Sequence, residues 1–325
     1  MRVLLTGMGG DFGAKTAALV EADPAVEAVL GIDAYPPRRR LHRSHFLRID
    51  PRDTARTGAA VRDFEPTVVI HLGVWEPDAR AEPAVAHRRT MAGTEAALGA
   101  AVAAGKLEHL LVRSGIEVYG RGPATPRCPT EEDPVLPTSP YGRTLHAVEQ
   151  AAAAAGRMAE VPVAHLRFAP TVGVQYPSPL VRLLRQPVVP VNALSLTAVE
   201  PAAFSLVDVE DAAAAFLAAL RRRVDGAVNV VAPGSITPYA AARLGGRVPL
   251  PVLPLGWVPT RLFGRLAGTP IPAHLHELLT RGRLADGGRA DEVLGIVPQR
   301  HTEEVVAGLY DWAPVVYLRP GEVAA

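Results

Sequence analysis

The chain has 325 residues, with 34 Lys+Arg against 33 Asp+Glu and a formal net charge of +1, so the basic excess that a nucleic-acid partner would need is missing. Hydrophobic residues make up 48% and charged residues 21%, an ordinary globular composition that excludes wholesale disorder and fits one large domain or two modest ones. The only lysines are Lys15 and Lys106, so a lysine-dependent mechanism has two candidates. Cys128 is the single cysteine, which excludes an internal disulfide or a multi-cysteine metal site and fits a reducing compartment.

Short apolar runs alternate with helical patterns through the first half. Met1–Leu5 reads as a buried strand, Gly13–Glu21 as a helix, and Glu27–Ile32, Phe46–Ile49 and Thr67–Leu72 as further strands. An Ala-rich helix around Met91–Ala104, a strand His109–Arg113, a helix from about Tyr141 to Met158 and a strand Pro162–Arg167 continue the series. Strands separated by helices at this spacing predict right-handed crossovers and a doubly wound parallel α/β sheet of Rossmann type. Beyond about residue 170 proline becomes frequent and the elements short, among them Pro177–Leu184, an apolar helix Val209–Arg222, Gly226–Val231 and Thr302–Leu309. The expected organisation is a dinucleotide-binding domain over 1–170, and over 171–325 mainly a small substrate-binding cap with some elements returning to the core. No uncharged apolar run reaches the roughly 18 residues of a membrane helix, and the opening MRVLLTG is too short for a signal-peptide core. A soluble cytoplasmic protein without a membrane partner is the expectation.

The first strand runs into Thr6-Gly7-Met8-Gly9-Gly10-Asp11-Phe12-Gly13. Glycines at 7, 10 and 13 permit a tight turn, close approach of backbone to a pyrophosphate and close packing of helix on strand, while the helix offers its first N–H groups to the phosphates. Asp33 ends the second strand 20 residues after Gly13, where a carboxylate holds the ribose hydroxyls of NAD and disfavours NADP. Arg38–Arg40 form either a solvated basic loop or a contact for a 2′-phosphate. Asp11 either caps the helix or lies in solvent, or it turns inward and repels the pyrophosphate.

With this turn the chain resembles the extended short-chain dehydrogenase/reductase family, the NAD-dependent epimerases and dehydratases that act mostly on nucleotide sugars. The resemblance spans almost the whole chain: Asp50 in FLRID, Val68–Gly73, Gly93-Thr94, Val118-Tyr119-Gly120, Ser139-Pro140-Tyr141-Gly142, Leu166-Arg167, Phe204–Asp211 and Leu294–Pro298 follow in family order. It implies a cofactor site of Gly7, Gly10, Phe12, Gly13, Asp33, Asp50, Leu72 and Gly73, and a small-molecule substrate, with a nucleotide sugar as the expected class. It also implies a homodimer built on the Tyr141 helix and its neighbour. No metal is implied.

In that family a tyrosine exchanges a proton with the substrate oxygen, a lysine four residues later lowers its pKa, and a serine or threonine on the fifth strand completes the set. The resemblance gives the tyrosine role to Tyr141. The lysine position holds Leu145 and the hydroxyl position holds Gly115, with Ser114 expected to point to the opposite face. A free tyrosine has a pKa of about 10, so bringing it to 7 requires roughly 4 kcal/mol of electrostatic help that leucine cannot give. Arg143 should face away, and His146 is better aimed at a neighbouring element. Glu117 matches a carboxylate of the family's dehydratases, but its usual acidic partner is Ile116, so a structural role stands beside the catalytic one. Arg182, Arg185 and Asn192 are candidate cap contacts or ordinary solvated polar residues. Two readings follow: an altered oxidoreductase or epimerase using Tyr141, or a dinucleotide-binding pseudoenzyme acting as a sensor or scaffold.

Overall fold

The computed structural model of the chain describes residues 1–50, 52–78, 82–196, 202–253 and 271–311. Its strands are β1 Arg2–Thr6, β2 Ala28–Asp33, β3 Ser44–Arg48, β4 Val68–His71, β5 His109–Gly115, β6 Val163–Phe168, β7 Thr171–Val172, β8 Val188–Asn192, β9 Val207–Asp208, β10 Gly226–Val230 and β11 Val248–Val252. The helices are α1 Asp11–Ala22, α2 Thr54–Phe64, α3 Pro83–Ala104, α4 Pro140–Ala159, α5 Pro179–Leu184, α6 Val209–Arg222, α7 Pro238–Leu244, α8 Ala273–Arg281, α9 Gly288–Leu294 and α10 Thr302–Gly308.

Seven strands form one parallel sheet in the order β10-β6-β5-β4-β1-β2-β3. Strand β4 is buried at all four positions, and only the first residue of β1 escapes burial, because helices cover both faces. Helices α1 and α6 pack on one face and α2, α3 and α4 on the other. On the first face Phe12, Phe168 and Phe216 form an aromatic cluster with centroids 5.4–5.8 Å apart. The order reverses between β1 and β4, and the crevice above that point is where an open α/β sheet receives ligands.

A second apolar cluster lies beyond the sheet and includes Val172, Leu184, Phe204, Ile236, Leu278 and Val306. Two short parallel pairs, β8 with β11 and β7 with β9, give it backbone order. The proline-rich stretch concealed β8 and β11, whose sequences VVPVN and VPLPV sit in a sheet of only two strands with little ladder for proline to disrupt. Strand β10 and helix α6 belong to the main sheet although they follow residue 170. Helix α3 begins at Pro83 rather than near Met91, with proline in its first turn and polar residues masking the early periodicity.

Two polar networks fasten the interior. Glu149 on α4 and Arg167 on β6 are both buried and joined by two hydrogen bonds of 2.8 and 2.9 Å; Ser114 Oγ donates to Glu149 at 2.6 Å, and Arg167 donates to Tyr119 Oη at 2.9 Å. The second centres on His71, fully enclosed between Thr6 Oγ1 at 2.7 Å and Thr94 Oγ1 at 2.9 Å. Since Thr94 donates onward to the Thr90 carbonyl at 2.8 Å, a neutral imidazole with its proton on Nε2 satisfies the chain. Burial pushes the His71 pKa down to about 4.

Both networks make stability predictions. Arg167→Met leaves a buried carboxylate without its cation and should cost about 3–5 kcal/mol in urea unfolding, whereas Arg289→Met, which breaks a pair with the exposed Glu132, should cost about 0–1 kcal/mol. Because the fold keeps His71 neutral, the unfolded chain binds the extra proton. The stability this group contributes is complete above pH 6.5 and is lost as pH falls through about 4, a change of about 3 kcal/mol. His71→Gln should flatten that part of the stability profile between pH 6.5 and 4, measured by urea melts across the range.

Candidate active site

The glycine turn joins β1 to α1. Gly7 has φ +76°, a left-handed conformation that suits glycine, and its N–H donates to the Ile32 carbonyl at 2.9 Å. A side chain at Gly13 would overlap the Gly7 carbonyl, so α1 can approach the turn only with glycine there. A Cβ at Gly7 would stand 2.9 Å from Gly73 N, which sets the end of β4, with Leu72 and Gly73, directly against the turn. A Cβ at Gly10 would meet nothing nearer than 3.8 Å, so the outer side of the turn is open to an approaching group. No side chain caps α1, and its first N–H groups are available to a ligand.

Asp33, at the end of β2, accepts from Gly9 N at 3.0 Å and from Tyr35 N at 3.2 Å, and burial raises its pKa despite these bonds. Asp50 is more exposed and binds Arg52 through both carboxylate oxygens, at 2.9 and 2.6 Å, which holds it down at about 2. Asp11 does not cap the helix and is half-buried. Its Oδ2 is buried with no donor among the described residues, and burial raises its pKa. The glycines, Asp33 and the open helix end fit the adenosine and pyrophosphate part of a dinucleotide, with Asp11 as one unmatched carboxyl beside them.

At the carboxyl end of β5 a cleft is lined by residues that include Glu76, Arg113, Gly115, Glu117, Tyr141 and His274. Tyr141 lies in the first turn of α4, whose start is capped by Ser139 Oγ accepting from Gly142 N at 3.0 Å. Its ring is buried and packs 4.9 Å from the His274 ring, centroid to centroid; His274 Nε2 in turn lies 3.0 Å from Glu76 Oε1. Leu145, one turn after Tyr141, is fully buried, and its Cδ1 lies 3.1 Å from where a Gly115 Cβ would be. The Ser114 hydroxyl turns to Glu149 on the other side of the strand, as alternation along β5 requires.

Glu117 fills the space that a side chain at position 115 would occupy, its Oε2 overlapping the missing Cβ. The carboxylate is buried, with Arg283 Nε 3.9 Å from Oε1. Arg283 is itself fully enclosed and donates from Nη2 to Glu277 at 2.7 Å. Neither lysine reaches Tyr141: Lys15 pairs with Glu210 on α6, and Lys106 is exposed before β5. Burial pushes the Tyr141 phenol well above its ordinary value; Arg113 opposes this, and the carboxylates of Glu76 and Glu117 add to it. The geometry gives a protonated phenol with two carboxylates nearby.

Other residues singled out in the sequence are occupied elsewhere. Arg143 donates to the Thr138 carbonyl at 3.1 Å, and His146 faces Gln150 at 3.1 Å along α4. Arg182 pairs with Asp78 at 2.8 Å, Arg185 donates to the Leu309 carbonyl at 3.0 Å, and Asn192 donates to the Thr280 carbonyl at 3.0 Å. Glu76, Arg113, Tyr176, His274 and Arg283 were not anticipated. Of these only Arg113 carried a sequence signal, as a charge ending the apolar run HLLVR.

Comparison with known proteins agrees with this architecture. An uncharacterized protein of Mycobacterium tuberculosis H37Rv is 26% identical over 312 residues, covering 93% of this chain and 81% of its own length. The UDP-glucose 4-epimerase of Thermotoga maritima, solved with UDP-glucose, superposes with a TM-score of 0.73 at 19% identity over 95% of this chain and 97% of that one. The UDP-glucuronic acid 4-epimerase of Bacillus cereus, solved with NAD, gives 0.69 at 18% identity over 95% and 97%. The UDP-glucose 4-epimerase of Brucella ovis, also with NAD, gives 0.72 at 19% identity over 94% and 96%. These likenesses establish a shared fold, and the model of the NAD dependent epimerase/dehydratase family matches residues 3–231. The chain therefore belongs to the NAD dependent epimerase/dehydratase family.

Proposed function

We propose that the protein binds NAD over the glycine turn and holds a nucleotide-sugar-like alcohol in the β5 cleft, with Tyr141 serving as a neutral hydrogen-bond donor instead of a base. The observation that carries this reading is the enclosure of Tyr141 beside Leu145 and two carboxylates, with no lysine near it. Gly7, Gly10 and Gly13 would receive the pyrophosphate, Asp33 the adenosine ribose, and Phe12, Asp50, Leu72 and Gly73 would line the cofactor groove. NAD, when bound, supplies a hydride acceptor. Oxidation of an alcohol also needs the hydroxyl proton to leave, and a phenol with a raised pKa does not take it at neutral pH. Tyr141 can position and polarise an oxygen, but turnover by the tyrosinate route is expected to be slow or absent.

A second reading assigns the proton to Glu117, because its carboxylate occupies the space left by Gly115 and lines the same cleft as Tyr141. Glu117→Gln separates the two readings: it abolishes turnover if Glu117 is the acceptor and leaves a merely binding protein unchanged in NADH affinity.

The direct test is NADH fluorescence for binding and absorbance at 340 nm for turnover with NAD and UDP-glucose or UDP-galactose. Binding with turnover well below about 1 per second is expected; ordinary enzyme rates of about 1 per second or more would overturn the reading. Leu145→Lys with Gly115→Ser and Glu117→Ala should raise turnover by at least about tenfold, the scale of a single electrostatic contact to a developing charge. Gly115→Ser alone should not, because Leu145 still offers no cation one turn after Tyr141 and the Glu117 carboxylate must turn aside to admit the side chain.

A further inference from the structure

Arg113 stands two residues before Gly115 on β5, and since Ser114 turns to Glu149, its own side chain emerges on the α1 face of the sheet. There the guanidinium lies 5.5 Å from the centroid of the Phe12 ring and donates from Nη2 to Tyr176 Oη at 3.1 Å. It lines the same cleft as Tyr141 and Gly115. A guanidinium has five N–H donors and is always charged, and even half-burying it without a counter-charge is unfavourable. The two buried arginines have their anions: Arg167 has Glu149 at 2.8 Å and Arg283 has Glu277 at 2.7 Å, whereas Arg113 is half-buried at the cleft. Arg113 forms no ion pair among the described residues, and its one hydrogen-bond partner there is a neutral phenol.

The acidic groups near it do not fill the gap. Glu76 is held by His274 at 3.0 Å, and Glu117 faces Arg283 at 3.9 Å. Asp11, whose charge reaches Tyr176 from the turn, forms no ion pair with Arg113 among the described residues. The cleft thus presents a planar cation, fixed in direction by a phenol and an aromatic face, which feels the Glu76 charge through space but forms no ion pair among the described residues.

We infer that Arg113 is the anion-recognition residue of this cleft, pairing with a carboxylate or phosphate group of the bound ligand. This rests on the proposal that the cleft is the ligand site. The anion has two possible sources of the same chemistry: an acidic sugar, or a phosphate of the cofactor or nucleotide. A planar fork suits either through two parallel N–H···O bonds.

The test uses the full chain, with calorimetric titration of UDP-glucuronic acid and UDP-glucose, which differ by one carboxylate, and NADH titrated by fluorescence. Wild type, Arg113→Gln and Arg113→Lys are compared, with thermal melts to verify folding. If the anion belongs to the sugar, Arg113→Gln weakens UDP-glucuronic acid by about tenfold or more, leaves UDP-glucose and NADH within about threefold, and Arg113→Lys recovers part of the loss. If it belongs to a phosphate, the glutamine variant weakens NADH or both nucleotide sugars together by a similar factor, which also supports the inference. Unchanged affinity for all three ligands in a folded variant overturns it. Should Arg113→Gln fail to fold, Arg113→Lys, which keeps the charge but loses the fork, is read in the same way. Should wild type bind neither nucleotide sugar, the sugar part of the proposed function fails. The anion site is then judged by NADH affinity and by inorganic phosphate, which must raise the melting temperature of wild type and not of the variant; no difference in either overturns it.

Discussion

The carbonyl of Gly7 occupies the place where a side chain at position 13 would have to be, and the upper surface of the sheet is arranged around that contact. Because α1 begins this close to β1, Phe12 reaches the aromatic cluster with Phe168 and Phe216 and so joins β6 and α6 to the turn. The same compactness brings the end of β4 against the turn, where Thr6 Oγ1 accepts from Gly73 N at 3.3 Å and meets His71. The adjacent ends of β1 and β4, where the strand order reverses, are thereby locked in mutual register.

Further along the sheet the physical balance differs. At the turn, backbone groups do the work and the side chains are small; at the end of β5 the side chains decide everything. Leu145 and Gly115 leave no void between them: Leu145 packs toward Gly115 from one side and Glu117 enters from the other. Replacing polar groups by well-packed ones preserves stability while it changes chemistry, because an enclosed phenol with no cation one turn away is held in its protonated form. The aromatic contact between Tyr141 and His274 then fastens α8 to α4 through a residue 133 positions later in the chain.

How much of this could be read from the chain depends on how local each constraint is. The parallel sheet and the glycine turn were legible because a strand buried on both faces is a continuous apolar run, and because Gly7 and Gly13 answer to neighbours within a few residues. Gly115 and Leu145 were also legible, since each is a local departure from a pattern. Strand ends shifted by one or two residues; β5 runs on to Gly115, and α3 starts eight residues earlier than its apolar periodicity suggested. The company kept by Tyr141 was not legible. Glu76, His274 and Tyr176 come from a loop, a late helix and the segment after β7, and no spacing rule links them. Asp11 shows the same limit at short range: its side chain could have capped the helix, and the fold instead leaves it half-buried, with Oδ2 out of reach of a donor among the described residues.

The Glu117 carboxylate ties two positions of the cleft together. With its Oε2 lying where the first side-chain atom of residue 115 would go, a side chain there requires the far end of Glu117 to swing aside. The backbone cannot easily yield, since a side chain at Gly142 would collide with the Glu117 carbonyl and α4 is seated directly on that peptide. Positions 115 and 117 thus share one volume, which holds either a side chain at 115 or the Glu117 carboxylate in its present rotamer, so a change at either is read at the other.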